Sequence, residues 1–142
     1  MMIYYAKITS QKDKTFLVEF PELPGCFTEG KSLVDAKTNA KEALDGWLSA
    51  NFDFNLFPNL PKNHKSKNYY PIKVDLRLEF PLILRHRRKQ KGLSQSQIAH
   101  KIGVSQQAYA KLEDPKNANP SLTTIQKISK ILQMEIDFKV AV

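Results

Sequence analysis

The spacing of apolar and polar positions changes repeatedly along the chain, and each change predicts an element. Residues 3–8 are dense in β-branched and aromatic side chains; after a polar stretch at 10–14, Phe16, Val18 and Phe20 fall on one face at period two. This predicts two strands joined as a hairpin. Pro21-Glu22-Leu23-Pro24-Gly25 breaks regular structure, and residues 26–30 fit a short third strand ending at a glycine. From Ser32 the period lengthens: Leu33, Ala36, Ala40, Ala43, Leu44, Trp47 and Leu48 recur every three or four residues, one stripe of a helix of roughly four turns. Ser32 is placed as its N-cap and Asp35 suits the first turn. Residues 55–68, with Pro58, Pro61, asparagines and lysines, read as a long loop in which His64 is a solvated side chain. Residues 70–79 then alternate, Ile72, Val74, Leu76 and Leu78 against Lys73, Asp75 and Arg77, which predicts one more strand.

Beyond Pro81 strand signals vanish until the last nine residues, and short helices separated by Gly and Ser take over. Ser94 is placed to cap a helix, with Gln97 completing a capping box. Ile98, Ala99 and Ile102 face inward, Gly103 supplies the left-handed residue that ends the helix, and Ser105 caps the next. Two short helices with a turn containing Gly form a helix-turn-helix. Ala99 is small because the crossing helices must approach closely, and Tyr109 and Leu112 complete their shared core. Finally Met134, Ile136, Phe138 and Val140 alternate with Glu135, Asp137 and Lys139, a strand with no hairpin partner in sequence. The fold class is therefore α+β. A β-β-β-α-β domain at 1–80, its sheet covered on one face by the helix, precedes an all-α helix-turn-helix domain at 81–142 with a C-terminal strand.

Charge sharpens this division. The 142 residues carry a net +8, but residues 1–80 hold 11 basic and 10 acidic side chains, whereas residues 81–142 hold 11 and 4. The second half calls for an anionic partner, with nucleic acid ahead of a membrane surface. A single cysteine, Cys26, leaves no internal disulfide and favours a reducing cytoplasm. The N-terminus has no signal-like leader, and no run of about 18 apolar residues occurs, so no membrane partner is expected.

Two resemblances carry the reading further. Over residues 82–134 the chain resembles the phage-repressor-like helix-turn-helix domains. The match rests on Gly92-Leu93-Ser94-Gln95, Ala99, Ile102-Gly103-Val104-Ser105, Leu112-Glu113 and Asn119-Pro120-Ser121-Leu122, with Leu122, Ile125, Ile128 and Leu132 keeping the apolar spacing. It departs at Arg87, where the family usually has an apolar residue, and at Asp114-Pro115. The first half resembles the HicB antitoxin family of bacterial toxin-antitoxin pairs, on residues 16–26 with their Pro-Glu-Leu-Pro-Gly-Cys string, on Thr28-Glu29-Gly30 and on the small-residue helix at 36–48. That resemblance implies a partial ribonuclease-H-like domain that docks a HicA-like mRNA-cleaving toxin, and a C-terminal domain that represses the pair's own operon.

The outward positions of the second helix are Ser105, Gln106, Gln107, Ala108 and Lys111. Glutamine pairs bidentately with adenine in the major groove, serine suits base or phosphate, and lysine suits phosphate. Gln95 is placed to touch the DNA backbone or to brace Gln106. The expected DNA-binding set is Ser94, Gln95, Ser105, Gln106, Gln107 and Lys111, with Lys101 and Arg88 from a basic surface that also draws on Arg85, Arg87, Lys89 and Lys91. The tail residues Ile136, Phe138 and Val140 are expected to pair with a second copy, since such repressors read two half-sites about one DNA turn apart. A homodimer follows, and a second interface on the N-terminal sheet would give a tetramer. Catalysis is not expected and no cofactor or metal is implied. Glu19, Glu29, Asp75 and Glu79 form no evident two-metal constellation, Cys26 lacks a base, and His86 and His100 lie in helices. The alternatives are a stand-alone ligand-responsive transcriptional regulator, which calls for an apolar pocket between sheet and helix, and a nuclease dependent on Asp75.

Overall fold

The computed structural model describes residues 1–53 and 59–137. The chain divides into two compact units, Met1–Glu79 and Phe80–Val142.

In the first unit, β1 (Ile3–Ser10), β2 (Phe16–Glu19), β3 (Phe27–Gly30) and β4 (Tyr69–Lys73) form one antiparallel sheet in the order β3-β2-β1-β4. The expected hairpin joins β1 to β2 with Ile8 opposite Val18. Its turn is tied by Asp13, whose carboxylate accepts from the Thr15 amide at 3.0 Å and hydroxyl at 2.7 Å. Strand alternation gives the sheet two unlike faces. Tyr4, Ala6, Ile8, Val18 and Ile72 are buried, together with Ala36, Ala40, Leu44 and Leu48 of α1 (Leu33–Asp53). The helix starts where its sequence signal lies: the Ser32 hydroxyl accepts from the Asp35 amide at 3.1 Å, and the Asp35 carboxylate accepts from the Lys31 amide at 2.8 Å. Gly30 permits the close approach of α1 to β3, since a Cβ there would stand 2.3 Å from the Ala36 backbone nitrogen.

The last strand departs from expectation. Strand structure ends at Lys73, and Leu76–Gln90 is a helix, α2, that runs through Pro81. Asp75, expected on the polar face of a strand, caps that helix instead: its carboxylate accepts from the Arg77 amide at 2.8 Å and its carbonyl from the Glu79 amide at 2.8 Å. The alternation at 72–78 satisfies period two, but Leu78, Pro81, Leu82 and Arg85 are buried at helical spacing while Leu76 is exposed. Pro81 has no N–H to donate, so α2 forgoes one bond there, and its side chain is fully buried. Glu79, weighed as a strand-end carboxylate, lies in the same helix and pairs with the amino terminus at 3.1 Å.

The second unit contains the C-terminal part of α2, then α3 (Gln95–Ile102), α4 (Gln106–Leu112) and α5 (Leu122–Leu132). Leu84, Ile98, Ala99, Ile102, Tyr109, Ile128 and Leu132 form its core, flanked by Phe80, Leu93, Leu112, Ile131 and Met134. Ala99 thus occupies the helix crossing as the sequence requires. The caps are also as read: Ser94 and Gln97 form a full capping box, Gly103 is left-handed at φ +76°, and Ser105 accepts from the Ala108 amide. The described tail, residues 134–137, is not a strand within the single chain, and Ile136 there is exposed. Phe138 and Val140 lie outside the described residues, as do residues 54–58 of the loop.

Candidate functional site

The helix-turn-helix presents Gln107, Ala108 and Lys111 of α4 and Lys101 of α3 as exposed side chains. Ser94 and Ser105 are exposed too, but their hydroxyls already accept helix amides at 3.1 Å. Gln106, at the first turn of α4, is half-buried, because its amide nitrogen donates to Gln95 Oε1 at 2.9 Å. Of the two roles open to Gln95, the brace to Gln106 is the one formed in the free protein.

Behind these residues lies a polar network that the sequence reading missed. Glu113, 3% exposed, takes a bidentate pair from Arg88, Nε to Oε1 at 2.6 Å and Nη2 to Oε2 at 2.9 Å. The Tyr109 hydroxyl donates to Oε1 at 2.8 Å and Gln95 Nε2 donates to Oε2 at 3.1 Å. Arg88, expected on the DNA-facing basic surface, is thus turned inward, and its Nη1 donates to the Leu93 carbonyl at 2.9 Å. The hydrogen bond to Glu113 is the main cause that raises its pKa above the ordinary arginine value. Burial, then the Glu113 charge, pushes the Tyr109 phenol up as well. Arg85, placed on the same basic surface by sequence, is buried, and desolvation lowers its pKa. Arg87, Lys89 and Lys91 remain exposed. One signal could have revealed the network: Tyr109 and Glu113 stand four apart on one helical face, and a buried tyrosine hydroxyl seeks a partner.

The first unit offers a different surface. Lys7, Glu19, Phe27 and Tyr69 are direct neighbours across the sheet, on the face away from Ala6, Ile8 and Val18. With Phe20, Pro21, Leu23, Pro24, Gly25 and Cys26 they line a cleft of about 410 Å³. Phe27 is 68% exposed. The proline-rich loop beside it is ordered by Leu23, fully buried, and by the Trp47 indole, which donates to the Pro24 carbonyl at 3.2 Å. Cys26 is buried, which pushes its thiol up to about 11, and its Sγ lies 3.6 Å from the Ala43 carbonyl. His64 is not the solvated loop histidine expected. It stacks on Tyr69 with centroids 4.3 Å apart, meets Tyr5 edge-on at 6.0 Å, and its Nε2 lies 2.6 Å from Oε1 of the buried Glu22. His86 lies in α2, where burial lowers its pKa, and His100 is exposed on α3. No group of three or more His, Cys, Asp or Glu among the described residues could hold a metal ion, and no described helix is long and apolar enough to cross a membrane.

Comparison with known proteins matches a stretch of each unit to a family model. Residues 4–69 match the family model described as the HicB-like antitoxin of bacterial toxin-antitoxin systems, and residues 84–139 match the helix-turn-helix model. The chain is 41% identical over 49 residues to the UPF0150 protein Ta0767 of Thermoplasma acidophilum, covering 34% of this chain and 71% of that protein. It is 25% identical over 135 residues to Antitoxin HicB of Escherichia coli K12, covering 95% of this chain and 96% of that one. The chain thus carries a HicB-like antitoxin domain followed by a helix-turn-helix domain. The chain is also 43% identical over 51 residues to the SPbeta prophage-derived uncharacterized HTH-type transcriptional regulator YonR of Bacillus subtilis, covering 36% of this chain and 46% of that protein. HicB-like antitoxins and helix-turn-helix regulators are typically not enzymes, and the two matches imply a toxin partner and DNA binding respectively.

Proposed function

We propose that the first unit binds and neutralises a HicA-like mRNA-cleaving toxin, and that the second, as a dimer, binds an operator palindrome and represses the operon that encodes the pair. The observation that carries this reading is the coexistence on one chain of a HicB-like unit and a helix-turn-helix whose α4 exposes Gln107, Ala108 and Lys111. The charge division supports it: the basic excess lies on the helical half, where phosphate neutralisation sets affinity and salt dependence, and the near-neutral half is left for a protein partner. Dimerisation through the tail, with Ile136 exposed at its described end, would supply the two-fold axis that a palindrome requires. In this reading Ser94, Ser105 and Lys101 join Lys111 at the phosphates, and Gln106 and Gln107 face base edges. The ligand-responsive alternative is not favoured, because the cleft lies on the open face of the sheet and the space under α1 is filled by Tyr4, Ala6, Val18 and Leu44.

Co-expression with the adjacent reading frame tests the toxin half. The expected outcome is growth rescue and co-purification of a small basic protein; growth arrest unrelieved by this chain would overturn it. For the DNA half, Gln107→Ala should change preference at one position per half-site by about 1–3 kcal/mol, while Lys111→Ala weakens every sequence alike. A binding titration giving the reverse pattern would refute the docking.

A further inference from the structure

The two edges of the first unit's sheet differ in what their backbones offer. On β4 the register pairs Ile3 with Lys73, Tyr5 with Pro71 and Lys7 with Tyr69. Val74 N–H donates to the Met2 carbonyl at 3.0 Å and Ile8 N–H to the Asn68 carbonyl at 2.9 Å, just outside these pairs. In an antiparallel ladder such bonds flank non-hydrogen-bonded pairs, so the backbone nitrogens of Tyr69, Pro71 and Lys73 turn away from β1 to the free edge. That edge is blunted: Tyr69 N–H is taken by the Ser66 carbonyl at 3.1 Å, and Pro71 has no N–H.

On β3 the same reasoning gives the opposite result. Phe20 N–H donates to the Cys26 carbonyl at 3.1 Å, beside the Glu19–Phe27 pair, so the N–H and C=O of Phe27 and of Glu29 point outward. Of these groups only the Glu29 carbonyl is met among the described residues, by Asn39 Nδ2 at 2.8 Å, and it keeps a second lone pair. β3 is therefore an unprotected edge, with the exposed Phe27 side chain beside it.

Charge decides what this edge accepts. Asn39 marks the flank of α1 that borders β3, and Asp35 and Glu42 stand four residues before and three after it, on the same flank. Glu29 and Glu19 add two exposed carboxylates on the open face of β3 and β2, and Lys7, beside Glu19, and Lys31, just past β3, offset part of this charge. A second copy paired about a two-fold axis would set the acidic flank of α1 against its own duplicate, at a like-charge cost. A protein that binds and cuts mRNA must carry Lys and Arg where the phosphates lie, and the carboxylates complement that surface.

We propose that the free edge of β3 receives, as an added strand, a basic segment of the toxin's RNA-facing surface, with Phe27 and Glu29 supplying the backbone bonds. This rests on the toxin-binding reading above and deepens it: it places the interface, and it gives neutralisation a route, since a segment held in the ladder is closed to mRNA.

The test co-expresses the full chain with the adjacent reading frame and follows amide hydrogen exchange, residue by residue, by NMR. The Phe27 and Glu29 amides should exchange readily in the free chain and slow by about a hundredfold or more in the complex, with Lys73 on the opposite edge unchanged. Glu29→Pro removes an outward N–H that has no partner among the described residues, and should weaken the complex by about tenfold or more. Lys73→Pro, the matching change on the β4 edge, should leave binding as it was. If Trp47 fluorescence shows that Glu29→Pro does not fold, Glu29→Lys combined with Glu42→Lys should weaken binding by about tenfold or more through charge alone. A complex that forms while both amides still exchange readily overturns the inference and spares the toxin reading. So does protection already present in the free chain and rising with its concentration, which makes a second copy the occupant. A chain that neither binds the frame's product nor relieves its growth arrest overturns both.

Discussion

In the first unit Gly30 brings the sheet so near to α1 that an added Cβ would meet the Ala36 backbone, and the small residues Ala36 and Ala40 continue that contact. In the second, three helical segments meet at a carboxylate with every lone-pair position filled. One unit is closed by shape and the other, at the junction that carries its candidate base-reading residues, by polarity. Apolar packing tolerates small rearrangements, since a methyl group can find another contact. A buried polar network fixes which atom faces which, because a donor cannot replace an acceptor. A surface that must distinguish bases by their donor and acceptor order is better supported by the second kind, and a unit proposed to hold a protein partner can stand on the first.

Single substitutions break this contrast in measurable ways, and Trp47, the only tryptophan, reports on the first unit alone. The largest effect is expected at Glu113→Ala, which leaves Arg88 as a buried charge without its partner; stability of the helical unit should fall by about 3–5 kcal/mol. Urea unfolding followed by circular dichroism should show an early helical transition while the Trp47 fluorescence transition stays in place. A Trp47 transition that moves with it would mean that the two units unfold as one. Next comes Gly30→Ala, where the obstructing atoms are backbone rather than a flexible side-chain tip; the first unit should lose about 3 kcal/mol, this time visible in Trp47 fluorescence. An unshifted midpoint would show that β3 and α1 separate without cost and that shape does not close this unit. The smallest of the three is His64→Ala, which removes the hydrogen-bond partner of Glu22 Oε1 where Oε2 already has none among the described residues. The expected loss is about 1–3 kcal/mol by the same measurement. No loss would mean that the His64–Glu22 contact is dispensable, and the first unit would rest on apolar packing alone.

The two units were not equally legible in the sequence. The caps at Ser94 and Ser105, the capping box with Gln97, the left-handed Gly103 and the small Ala99 all lie within 12 residues of one another, and each is a signal of local geometry. They were read correctly for that reason. The hairpin and α1 were legible on the same basis, through alternation and then a stripe at helical spacing. The apolar positions at 70–79 satisfy two periods at once, and the burial of Leu78 and Leu82 decides for the helix. The seat of His64 is not legible locally, since Tyr5, Glu22 and Tyr69 reach it from three separate stretches of chain. The sequence points Arg88 to the surface, where arginines usually lie, because the Glu113 that draws it inward stands 25 residues away.

The sequence by itself determined the first three strands and α1, the helix-turn-helix with its caps and the uneven charge, since all of these follow from local spacing or composition. Only the tertiary structure decided which charged residues are surface and which are structure. It turned Arg85 and Arg88 inward, seated His64 on Tyr69, and oriented Gln95 and Gln106 through a carboxylate. The physical reason is that the cost of burying a charge depends on the partner it meets, and that partner is brought there by the fold.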